Sequence, residues 1–226
     1  MISRQAELSS SLNEVLERIA QAAKDAGRVA ADITLIAVTK TYPASDVEML
    51  GNLGVGNFGE NRDREGSEKA AVVPAIWHFQ GQIQSNKISS IASWADAVHS
   101  LDDGRHIRLL AAAAKSKPLS VFLQVSLDSQ PGRGGAMPQE LSRLAELALA
   151  EPSLKLEGLM AVAPLGEDPE SAFFRLSQIH SDFRQQFPLS PSLSAGMSGD
   201  FEIAIRHGAT HVRVGSSILG SRSHIR

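Results

Sequence analysis

The strict alternation of strand-like and helix-like segments limits what this chain can fold into more than any other feature of it. Apolar runs with strand character occupy 33–39, 55–58, 75–79, 95–100, 119–127, 156–162, 193–197 and 211–214, and helical spacing separates each from the next. The helical stretches fall at 61–71, 85–92, 103–115, 138–150, 168–187 and 201–207. A further short helix opens on a capping-box pair, Ser45 and Glu48, and ends near Gly51 or Gly54. One helix precedes them all: Leu8, Leu12, Val15, Leu16, Ile19 and Ala23 repeat at three and four across 4–26. Strands separated by helices pair in parallel through right-handed crossovers. Eight such units after a leading helix fit a closed (β/α)8 TIM-type barrel better than an open doubly wound sheet, the alternative α/β arrangement. No Gly/Ser/Pro-rich linker or composition break divides the chain, so a single domain over 1–226 is expected.

Composition narrows the function classes. The formal charge is −3, from 22 basic and 25 acidic residues with no basic run, so neither a nucleic-acid nor an anionic-membrane surface is indicated. There is no cysteine, which excludes thiol catalysis, disulfides and thiolate metal sites. The amino terminus is amphipathic and carries acids, unlike a signal peptide, and no apolar run reaches the length of a membrane span. A soluble, cytoplasmic protein is expected.

In barrels of this type the chemistry collects at the carboxyl ends of the strands. Read off those ends, the sequence gives Thr39 and Lys40, then Glu60 and Asn61, then His78, Gln80 and Gly81, then His99 and Ser100. Strand 7 ends in 194–200 (SAGMSGD) and strand 8 in 213–217 (RVGSS). Lys40 has no acid within five residues. A lysine leaving a strand ordinarily reaches water along its aliphatic stem, but in a barrel this one faces the cavity mouth. The small residues after strands 7 and 8 let backbone N–H groups approach an anion, with hydroxyls as added donors. A phosphate site, a strand-end lysine and Arg213 together suggest pyridoxal phosphate (PLP). The lysine amine would form a Schiff base with its aldehyde, and Arg213, a donor only, would hold the ring nitrogen as an unprotonated acceptor.

The stretches LIAVTKTYPAS, FGENR, WHFQGQIQSNK, HSLD, GRGG, LEGLMAV, SAGMSGDFEIAIRHGAT and VRVGSSILGSR carry a resemblance over essentially the whole chain. The sequence resembles the YggS/PROSC family of pyridoxal phosphate homeostasis proteins. That resemblance implies a fold type III PLP barrel, like the alanine racemase N-terminal domain without its second domain. It makes Lys40 the Schiff-base lysine and has Ser198, Gly215 and Ser216 bind the phosphate. Met197 would lie beside them, Arg213 would face the ring nitrogen, and Asn61 and His78 would line the pocket. Lys87 is a further candidate for handling the cofactor, and Glu60 for capping the following helix. Three positions depart from the family pattern: Arg62 stands where Tyr is usual, Gly199 where Asp or Glu is frequent, and Arg133, Gly134 and Gly135 where a K-x-G element is usual.

Racemisation by such a barrel needs a second acid/base group opposite the lysine. The single tyrosine, Tyr42, lies too close to Lys40 in sequence for that face. An arginine-held ring is also a weak electron sink. A carrier or regulator of PLP without established catalysis is therefore expected. A PLP-dependent amino-acid racemase and a non-covalent binder of another phosphorylated metabolite remain the alternatives. The expected partners are PLP and PLP-dependent apoenzymes, with the protein a monomer and with no nucleic acid, membrane or metal involved.

Overall fold

The computed structural model describes residues 2–115, 117–128 and 134–220. The leading helix α1 (Arg4–Asp25) starts where the Ser3 hydroxyl accepts from the Ala6 amide, and it buries Leu8, Leu12, Val15, Ile19, Ala22 and Ala23. Leu16, part of the predicted stripe, is turned outward and 44% exposed. Eight strands follow: β1 (Thr34–Val38), β2 (Asn57–Glu60), β3 (Ile76–Phe79), β4 (Ala97–Leu101), β5 (Leu119–Gln124), β6 (Leu154–Met160), β7 (Ser192–Ser194) and β8 (His211–Val214). They pair in chain order, all in parallel, and β8 closes onto β1 with Ile36 opposite Arg213. The fold is the expected (β/α)8 TIM-type barrel, and the open sheet is excluded.

The crossover helices are α2 (Ala44–Asn52), α3 (Asp63–Ala70), α4 (Ile88–Trp94), α5 (Gly104–Ala113), α6 (Leu141–Leu149), α7 (Pro169–Gln186) and α8 (Phe201–Arg206), and a short α9 (Ser216–Leu219) follows β8. The apolar core lies between strands and helices, joining Leu12 and Ile19 to Phe58, Trp77, Leu110 and Phe173. The lumen is filled differently. His99 stacks on Phe122 of the neighbouring strand β5 at 4.2 Å and lies edge-on to His211 at 6.5 Å, a contact that crosses the barrel from β4 to β8.

Element boundaries differ from expectation in instructive ways. β2 runs on through Gly59 and Glu60, which pair with His78 and Phe79 where the sequence suggested a loop. β5 stops at Gln124, and Val125 makes only an isolated bridge to Ala136. The capping box at Ser45 and Glu48 does not form, because α2 starts two residues earlier, after Pro43, with no side-chain cap. The next acid, Asp46, instead takes Arg4 at 2.7 Å and ties α1 to α2. Among the described residues no helix is long and apolar enough to cross a membrane, and no cluster of His, Asp and Glu could hold a metal ion.

Candidate functional site

Side chains alternate along a strand, so residues two apart share a face. Val38 and Lys40, Met160 and Val162, and Arg213 and Gly215 are three such pairs, and all six line one cavity of about 400 Å³ at the carboxyl ends of the strands. Asn61, Gln80, Met197, Ser198, Gly199 and Ser216 complete its wall. Of the residues singled out in the sequence, Lys40, Asn61, Met197, Ser198, Arg213, Gly215 and Ser216 therefore meet in one place.

Lys40 leaves β1 from a tightly held backbone. The Thr39 hydroxyl donates to Glu60 Oε1 at 2.7 Å, and the Thr39 carbonyl accepts from Lys69 Nζ at 2.8 Å. Lys69 and Glu60 form an ion pair at 2.5 Å with both side chains buried. On the far side of Lys40 the Thr41 amide donates to Glu65 Oε2 at 2.6 Å. Thr41 adopts φ +69°, the only non-glycine residue with a positive φ among those described. The Lys40 side chain itself is exposed at the cavity mouth. Glu60 does not cap α3, contrary to expectation: α3 has no side-chain cap, and the carboxylate is turned into the wall toward Lys69. Burial pushes the Glu60 carboxyl up, while Lys69 and the Thr39 hydroxyl pull it back down.

Asn61 and Gln80 form the adjoining wall. A Cβ on Gly81 would lie 2.0 Å from the Asn61 carbonyl oxygen, so only glycine lets the β3 exit pack against Asn61. The buried Gln80 Nε2 finds no acceptor among the described residues.

The opposite wall is a ring of donors. Ser198 Oγ accepts from the Gly215 amide at 3.1 Å and from the Ser217 amide at 3.3 Å, which leaves its own proton to donate elsewhere. Gly196 (φ +89°) makes this turn possible, since a Cβ there would meet Phe201 Cα and Ala204 Cβ at 2.7 Å. The Met197 amide donates to Asp200 Oδ1 at 2.6 Å, fixing the loop with the Met197 side chain at the rim.

Arg213 sits deeper and is 5% exposed. Its partners among the described residues are neutral: Ser194 Oγ at 2.8 Å and the Ala161 carbonyl at 2.9 Å. No carboxylate pairs with it among the described residues, and burial lowers its pKa to about 10, opposed by the more distant Asp200. Behind it runs a column of hydrogen bonds, from Ser194 Oγ to His99 Nδ1 (2.9 Å), from His99 Nε2 to His78 Nδ1 (2.9 Å), and from His78 Nε2 to Asn57 Oδ1 (3.0 Å). Burial keeps both rings neutral, with His78 lowered to about 3 and His99 well below its usual value. A neutral imidazole has one N–H and one acceptor nitrogen. Because Asn57 Oδ1 accepts, the proton order is set throughout: Arg213 donates to Ser194, Ser194 to His99, His99 to His78, and His78 to Asn57.

His78 thus does not line the cavity, a correction to the sequence expectation. It occupies the layer below, with both ring nitrogens engaged, and Gln80, two residues on, takes the mouth. Lys87 is also away from the cavity; it is half-exposed, with Nζ 3.9 Å from Asp63 Oδ2. Arg62 is exposed and pairs with Glu65 at 2.9 Å. Arg133 lies outside the described residues, while the Gly135 amide donates to Asp102 Oδ2 at 2.8 Å. Tyr42 donates its hydroxyl to the Gly220 carbonyl at 2.7 Å. In the sequence His99 and Ser194 stand out only as strand ends, and nothing marks Lys69.

Known proteins match this chain closely. The family model of the alanine racemase N-terminal domain covers residues 12–223. The pyridoxal phosphate homeostasis protein of Corynebacterium glutamicum is 41% identical over 91% of this chain and 97% of its own. That of Mycobacterium tuberculosis is 39% identical over 97% of this chain and 94% of its own. PipY of Synechococcus elongatus, solved with PLP bound, superposes with a TM-score of 0.78 at 30% identity, covering 89% of this chain and all of that one. The alanine racemase of Corynebacterium glutamicum, at 14% identity and a TM-score of 0.72, shares the fold over 98% of this chain and 62% of its own. With its full set of strands and nearly all of its length accounted for, this chain belongs to the pyridoxal phosphate homeostasis protein family, whose barrel is that of the alanine racemase N-terminal domain.

Proposed function

We propose that this chain is a cytoplasmic PLP-binding protein that holds the cofactor covalently on Lys40 and supplies PLP-dependent apoenzymes, without turning it over on substrates of its own. The residues fit that group. PLP supplies an aldehyde that a lysine amine captures, together with a phosphate and a ring nitrogen that accept hydrogen bonds. Lys40 brings the amine to the mouth of the cavity. Ser198 and Ser216 offer hydroxyls to the same wall, and because the Gly215 and Ser217 amides donate to Ser198 Oγ, the Ser198 proton is left to donate to a phosphate oxygen. Asn61 and Gln80 face the space between, and the unpartnered Gln80 Nε2 is a donor in need of an acceptor.

The observation that carries the reading is Arg213. A buried guanidinium ordinarily finds a carboxylate, yet this one meets two neutral acceptors and borders the cavity. It can donate to an unprotonated ring nitrogen and has no proton to lose at neutral pH. Retention rather than turnover is supported by Tyr42, whose hydroxyl is committed to the Gly220 carbonyl just past α9 and is not part of the cavity wall. The histidines of the column are likewise turned away from the mouth and bonded at both nitrogens.

The test is uptake. PLP-free protein mixed with PLP should retain a stoichiometric amount through gel filtration, with a visible absorbance band. A protein that stays colourless and releases all PLP on the column overturns the proposal. Exchange of an amino acid's α-hydrogen with solvent deuterium, lost in Lys40→Ala, would overturn the carrier reading in favour of an enzyme.

A further inference from the structure

We infer that the buried Glu60–Lys69 pair, together with Glu65, is a positioning device for Lys40; this rests on the reading of Lys40 as the capturing amine. The pair needs an explanation beyond stability. A buried ion pair can often be replaced by apolar residues of similar volume at no cost, so its presence is weak evidence of a stabilising role. What distinguishes this one is where its hydrogen bonds go. Glu60 takes the hydroxyl of Thr39, Lys69 takes its carbonyl and the Gly59 carbonyl takes its amide, so every polar group of the residue before Lys40 is engaged. Glu65 takes the backbone amide of the residue after it. Lys40 is therefore gripped on both sides through the backbone, while its side chain stays exposed at the cavity.

The backbone conformation fits this role. A threonine at φ +69° is strained, and such strain persists only where its surroundings over-determine it. Here the surroundings are the Glu65 carboxylate on the Thr41 amide and the buried pair on Thr39. Glu65 also lies 4.0 Å from Lys69 Nζ, so the two grips are joined in one charged cluster. Holding the Lys40 Cα in this way sets the direction from which the amine reaches into the cavity. Capture of an aldehyde depends steeply on such placement, with about an ångström of error costing on the order of a hundredfold in rate.

Covalent capture and non-covalent binding separate this role from a merely structural one. Pyridoxine 5′-phosphate has the same ring and phosphate with an alcohol in place of the aldehyde, so it reports the cavity without Lys40 chemistry. The double variant Glu60→Gln/Lys69→Met removes the pair without stranding a buried charge. It should bind pyridoxine phosphate within about threefold of wild type yet fix PLP onto Lys40 at least about tenfold more slowly. Glu65→Gln, on the outer side of the grip, should slow capture by about threefold with analogue binding unchanged. Should the double variant fail to fold, Glu65→Gln decides by the same criterion. Capture at the wild-type rate overturns the inference, and so does a parallel loss of analogue binding, the mark of general damage. A wild type that binds the analogue but never captures PLP overturns the reading of Lys40 and this inference with it.

Discussion

Lys69 and Arg213 are buried to nearly the same degree, 6% and 5% exposed, on the two sides of β1: Lys69 on α3 against Thr39 and Glu60, Arg213 on β8. Lys69 has a carboxylate at 2.5 Å and a backbone carbonyl at 2.8 Å, so its charge is balanced within the protein. Arg213 has a hydroxyl and a carbonyl and, among the described residues, no acid. A buried charge left without a counter-charge is expensive. The first arrangement is closed on itself and shapes the wall, whereas the second is open on the side of the cavity and suits an electron-rich guest. Equal burial thus marks two different jobs, and the partners tell them apart.

Breaking each cation should separate them most clearly. Lys69→Met strands the Glu60 carboxylate in the wall and should cost about 3–5 kcal/mol of unfolding free energy in denaturant titrations. A cost below about 1 kcal/mol would mean that the pair is not closed in the way described. Arg213→Met strands no charge. Its loss of stability should stay below about 2 kcal/mol, while retention of PLP falls at least about tenfold. If Arg213→Met unfolds the protein as severely as Lys69→Met, the contrast fails.

Acid should attack the Arg213 side of the barrel. His78 and His211 are lowered to about 3 and about 4, and His99 lies well below its usual value, with burial the largest cause in each. A histidine whose folded pKa is depressed is neutral in the folded state while the unfolded chain binds a proton. Stability is therefore full above about pH 6.5 and falls as pH drops from there toward the folded values, by up to about 1.4 kcal/mol per pH unit for each such histidine. Melting temperatures should be flat above pH 7 and fall steadily between 6 and 4. In the variant His99→Phe that slope should be shallower, and an unchanged slope would show that His99 is not neutral in the folded state. The smallest effect should be that of Arg62→Tyr, which restores the residue usual in the family. Arg62 is exposed and, among the described residues, pairs only with Glu65, so stability should move by less than about 0.5 kcal/mol and PLP retention not at all.

The barrel was legible because each strand is a short apolar run and each crossover has helical spacing, and the register then follows from closure. The edges were less legible. Gly59 and Glu60 look like loop residues until their pairing with β3 is seen. The cavity was legible where small residues cluster at strand ends, as in 196–199 and 215–217, and where Lys40 stood without a local partner. His78 was misassigned because alternation along a strand gives the face but not the depth; His78 and Gln80 share the lumen side, and only Gln80 reaches the mouth. Ser194 and His99 are 95 residues apart, and no local pattern joins them. Lys69 sits in the polar stretch DREGSEKA, which reads as a solvent-facing helix, yet it turns inward because Glu60 and the Thr39 carbonyl lie directly beneath it.

The central claim is that the lysine at the end of β1, beside the strand that carries the open arginine, captures PLP. Borohydride treatment of the PLP-loaded protein followed by peptide mapping tests it directly. The account predicts one reduced label, on the peptide carrying Lys40, absent in Lys40→Ala. A label on Lys87 or any other lysine with Lys40 unmodified, or no label at all, would contradict it.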